Sequence, residues 1–167
     1  SHVMVYLRRA HSYFLDFILP NIRRKLIEAI NYSDSGEISM LIIKFFDEYY
    51  AEVRNHMEFE NKNVFRYVDG LLSGHMSDNY NITLFASHHD HIDARLKELK
   101  DIIIRYYLGE DSDLLNSVLY DIISCEEELD SHCSVKERLF VTPVKALEHR
   151  EMHSESMSTT VDEEAST

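Results

Sequence analysis

Apolar side chains return at steps of three and four residues through four long stretches of this chain, and that rhythm limits what it can become. Positions repeating at about 3.6 residues fall on one face of an α-helix. The first stretch, from about Met4 to Ile30, carries Leu7, His11, Phe14, Ile18 and Ile22, and Pro20 predicts a kink in it. The second, from about Glu37 to Leu72, carries Ile38, Ile42, Phe45, Tyr49, Val53, His56, Glu60 and Val64. The third, from about Ile82 to Leu108, carries Ile82, Phe85, His89, Ile92, Leu96, Leu99, Ile103 and Tyr106. The fourth carries Leu115, Val118, Ile122, Cys125, Leu129, His132, Lys136 and Leu139 before Pro143. Short connections make successive helices antiparallel, so the pattern predicts an all-α, up-down-up-down four-helix bundle.

Turn formers are too few for the alternative. Four Gly and two Pro in 167 residues cannot supply the frequent turns of a β-sandwich or barrel. The length fits one domain, expected over residues 4–147, and residues 148–167 read as an acidic Ser/Thr-rich tail or linker. A net charge of −13 repels phosphate backbones and anionic lipid heads, which argues against direct nucleic-acid binding by this chain. The apolar run from Tyr13 to Leu19 is broken by Asp16 and is too short to span a membrane. Cys125 and Cys133, eight apart, would stand ~12 Å apart on a helix, too far for a disulfide. Free thiols and the absence of a leader-like segment point to a cytoplasmic protein.

Polar residues interrupt the inward stripe of all four helices, and they are of metal-binding types: His11, His56 with Glu60, His89, and His132. Such groups are costly to bury without partners. At ~1.5 Å per residue along antiparallel helices, all of them fall in the same half of the bundle. His56 and Glu60, four apart, share a helix face, so both can address one ion or a pair of ions. A single inward His is usually a hydrogen-bonded core residue. Four at one depth on four helices argue instead for a divalent ion such as iron, manganese or zinc. In the run His88-His89-Asp90-His91 only His89 keeps the register of Ile92, Leu96 and Leu99, and His88 is the second choice, in a supporting position.

These residues resemble those of a bacterial hemerythrin-like domain, of the HHE cation-binding family. His56-Met57-Glu58-Phe59-Glu60 followed by Phe65 is similar to the family's second-helix motif. His89-Asp90 with Ile92, Leu96 and Leu99 fits the third helix, and His11 ahead of Leu19-Pro20 fits the first. The resemblance implies a bundle around a non-haem di-iron centre that binds or senses a small diatomic ligand or peroxide. Family members serve as oxygen carriers or sensors, or in repair of iron-sulfur centres, and some are fused to a DNA-binding module downstream. The fourth helix departs from the pattern, because the family's second glutamate position holds Lys136, with Glu137 one residue later. An i+5 residue is turned ~140° from the His132 face. Four outcomes stand open: a single metal; Lys136 swinging out while Glu128 substitutes; Lys136 pairing with Glu60 in an empty site; or Lys136 snorkelling to the end of the bundle. Beside the metal reading stands a bundle that serves as a metal-free interaction module. No Ser/His/Asp set or phosphate-cradling Gly loop occurs, so an ordinary enzyme is not expected.

Overall fold

The computed structural model describes residues 2–32, 36–75, 82–83, 89–107 and 113–150. They form four helical rods, with no strand among the described residues. The first rod is α1 (His2–Tyr13), a π-helical turn (Phe14–Ile18) and α2 (Leu19–Tyr32). The second is α3 (Glu37–Phe59), a π turn (Glu60–Val64) and α4 (Phe65–Leu72). The third is α5 (His89–Tyr107). The fourth is α6 (Asp113–Lys136), a π turn (Glu137–Val141) and a last helical stretch, α7, over residues 142–150. α2 packs on α3 and α6, and α5 packs on the same two, so the rods close a four-membered ring. Among the described residues no helix is long and apolar enough to cross a membrane.

Two apolar clusters fill the ring. The larger gathers Ile22, Leu26, Phe46, Tyr49, Leu99 and Val118 with their neighbours. The smaller gathers Leu7, Phe65, Val68, Ile82, Phe140 and Val144 at the other end. Each fully buried side chain of this size contributes about 1.5–3 kcal/mol of transfer free energy. Between the rods, Lys25 bonds Asp121 at 2.7 Å and Lys100 bonds Glu126 at 2.6 Å. Partly exposed pairs of this kind add little stability and act mainly on alignment.

Between the clusters lies a polar layer. Along the first rod Leu7 belongs to the smaller cluster, His11 to the layer and Phe14 to the larger cluster. The second rod passes from Met57 through Glu60 to Val64, and the fourth from Leu129 through His132 and Lys136 to Phe140. All three π turns sit at or beside this layer, where wide turns are most often found in helices that carry a site.

The wide turns also explain where the regular stripe fails. A π turn inserts a residue and rotates everything beyond it, so Leu139 is 58% exposed while Phe140 and Val141 are buried. The expected inward places of Ile38 and Tyr106 are likewise exposed, at rod ends. Phe46 and Met57 are buried where the stripe pointed to Phe45 and His56, which are half-buried. The irregularity expected at Pro20 takes the form of the π turn just before it, where the Leu19 N–H reaches back to the Phe14 carbonyl. Ile82 is a buried turn residue ahead of α5, and Phe85 lies outside the described residues. The fourth rod stays helical through residue 150, and Glu148 Oε1 accepts from the Tyr67 hydroxyl at 2.6 Å and the Ile82 N–H at 2.8 Å.

Candidate metal centre

Glu60 opens the π turn of the second rod and is buried in the polar layer. Its two carboxylate oxygens have different neighbours. Oε2 stands 3.3 Å from His11 Nε2, and Oε1 stands 3.1 Å from His56 Nε2. Oε1 also accepts a hydrogen bond from the Lys136 ammonium. Helical spacing brings His56 to Glu60, whereas α1 delivers His11 from the neighbouring rod and α6 delivers Lys136 from across the ring.

Aromatic rings close the layer. Phe65 stacks on the His11 ring with centroids 5.7 Å apart, and His132 meets His11 edge-on at 5.1 Å. Phe14 lies edge-on to His132 at 6.0 Å. Such walls keep water out and strengthen every charge interaction inside. One side is open: a groove of about 650 Å³ runs between α1 and α6, past Tyr13, Glu128 and Ser131, to Phe14 and His132.

The His11 ring shows what the layer demands. Its Nδ1 lies 3.0 Å from Asn61 Oδ1, a contact that suits the tautomer with the proton on Nδ1. Nε2 is buried, makes no hydrogen bond and faces a carboxylate oxygen. A lone pair against a carboxylate oxygen is repulsive unless positive charge lies between them or the ring is protonated. The separations fit a metal as well, since two donors at right angles, each about 2.1 Å from an ion, are ~3 Å apart. By donor type His11, His56 and Glu60 suit a divalent ion, each imidazole facing its own oxygen of the carboxylate, and His132 adjoins His11.

Among the described residues no three His, Cys, Asp or Glu side chains form a ready-made coordination cluster. Lys136 stands on one side of Glu60 where a further ligand would be needed. His89 begins α5, but its side chain lies outside the described residues, as does all of His88. Of the outcomes open at Lys136, the outward swing is not what occurs: the side chain is buried and points to Glu60. Glu128 stays exposed at the groove. The bulge that would be needed to turn Glu137 inward does exist, yet Glu137 is exposed, because the wide turn carries Phe140 and Val141 into the smaller cluster instead.

Asn61 escaped the sequence reading. It has no helical relation to His11, and its only signal was its position next to Glu60. Cys125 is buried and Cys133 half-buried, and neither is joined in a disulfide among the described residues.

Comparison with known proteins bears on this layer. The family model described as the hemerythrin HHE cation-binding domain matches residues 2–144, which takes in all four rods and every candidate ligand. No curated protein and no solved structure matches the chain.

Proposed function

Because this chain belongs to the hemerythrin HHE cation-binding domain family, we propose that its polar layer binds a divalent metal, iron foremost with manganese or zinc as alternatives, and that the bound metal receives a small oxidant such as O2, NO or peroxide. His11, His56, Glu60 and His132 would hold the ion, with His89 as the ligand from the third rod. The observation that carries this reading is the His11 ring, whose Nδ1 is engaged by Asn61 and whose buried Nε2 is aimed at Glu60 Oε2. An iron ion held there would supply redox-active chemistry toward such a small ligand.

The chain's own groups do the rest. Asn61 holds His11 in the tautomer that leaves Nε2 available, the role a supporting hydrogen bond commonly plays at a metal ligand. Phe14 and Phe65 exclude bulk water, and the groove between α1 and α6 gives a diatomic molecule or peroxide a route to His132.

The test is to purify the chain without a His tag, load separate samples anaerobically with ferrous iron, manganese and zinc, remove free metal, and measure bound metal and, for iron, the optical response to NO. Retained iron and an NO-dependent spectrum are expected. Failure to retain iron, manganese or zinc would overturn the reading. A second reading, a metal-free interaction bundle, is favoured by one observation, the ion pair that Lys136 already makes with Glu60. The same measurement decides between them.

A further inference from the structure

We propose that Lys136 is the resident second cation of this layer, so that the site takes one metal ion and not two; the inference rests on the metal reading above. Glu60 is the only carboxylate buried in the layer among the described residues. The Lys136 ammonium donates to its Oε1, the oxygen that His56 also faces, while His11 faces Oε2. One oxygen of the carboxylate is therefore already engaged by a fixed positive charge.

Charge decides the count. One dication together with Lys136 and Glu60 leaves the layer at a formal +2, and a second dication raises it to +4. Like charges a few ångströms apart, with little water to screen them, repel strongly. The ammonium does not relieve this by leaving, since it is buried between the two apolar clusters and would lose its carboxylate partner. The acids of the fourth rod that might offset a second ion, Glu128, Asp130 and Glu137, are exposed. A carboxylate at position 136 would reverse the balance by adding a negative donor where a positive group now stands. The ammonium thus limits the number of ions and weakens the hold on the one that binds.

The experiment compares untagged wild type, Lys136→Glu and Lys136→Met. Each is loaded anaerobically with excess ferrous iron, and separately with zinc, then desalted and counted for metal per chain, with circular dichroism as a check on folding. The expected result is one ion in the wild type and an approach to two in Lys136→Glu. Lys136→Met should stay at one and bind it about tenfold more tightly or better, because the competing charge is gone. Two ions in the wild type would overturn the inference and leave the metal reading intact. So would one ion in Lys136→Glu with unchanged affinity in Lys136→Met. If Lys136→Glu does not fold, the affinity of Lys136→Met decides alone. A wild type that holds no ion under either loading would instead overturn the metal reading itself.

Discussion

Lys136 and Glu60, 76 residues apart in sequence, form a hydrogen-bonded ion pair buried across the bundle. Removing one member strands the other charge in an apolar surround, and such losses cost about 3–5 kcal/mol. Lys136→Ala is therefore expected to destabilise the metal-free protein by that amount. The double substitution Glu60→Leu with Lys136→Met should recover most of it, since apolar replacements for a buried pair are often neutral or better. Urea unfolding of the metal-free variants measures both. A cost below about 1 kcal/mol for Lys136→Ala would mean that the pair is solvated in solution.

His56 stands half-buried, 3.1 Å from Glu60 Oε1, at the edge of the layer. Its replacement by Ala should lower metal affinity at least about tenfold, given that even groups supporting a ligand cost 10–100-fold when removed. Asn61→Ala should have a smaller effect of the same sign, through His11. Competition with a chelator of known affinity reads both. Equal affinities for His56→Ala and wild type would remove His56 from the donor set.

The histidines of the first and fourth rods and the glutamate of the second were legible because helical periodicity alone puts them in the core register. His11, Glu60, His132 and Lys136 are all buried. What periodicity misses is any change in turn width. It assumes constant rotation per residue, and a π turn breaks that assumption without leaving a residue-type signature. For that reason Leu139 points out where Phe140 and Val141 point in. The contact between Asn61 and His11 was equally hidden, since no local pattern relates residues 50 apart on different rods.

Burial pushes the Cys125 thiol up from 9.0 to about 12, with the nearby charges of Glu128 and Glu126 adding to the shift. In the unfolded chain the thiol ionises near its ordinary value, so between about pH 9 and 12 the folded state holds more protons than the unfolded one. Stability should accordingly fall as pH rises through that window, and Cys125→Ala should flatten the fall. At pH 8, iodoacetamide should modify Cys133 in the native protein and reach Cys125 only after denaturation. Peptide mass spectrometry distinguishes the two sites. Rapid native labelling of Cys125 would contradict the buried placement.

Ser131 lines the groove that leads to His132. A bulky side chain there, as in Ser131→Trp, should slow NO or azide binding to the iron-loaded protein while leaving iron content unchanged. Stopped-flow absorbance checks the rate. An unaltered rate would place the access route elsewhere on the molecule.

A helix acquires a wide turn by gaining one residue, and the described residues keep three such gains, at Phe14–Ile18, Glu60–Val64 and Glu137–Val141. Removing the gained residue would return that turn to ordinary helix and leave the side chains on either side on the faces they already hold, because the wide turn absorbs the extra residue within itself. The same loss in the regular helix nearby would swing everything past it by about 100°. Single-codon deletions inside the wide turns should therefore be better tolerated than deletions a turn or two away, a genetic fingerprint of geometry that residue identity alone would never reveal.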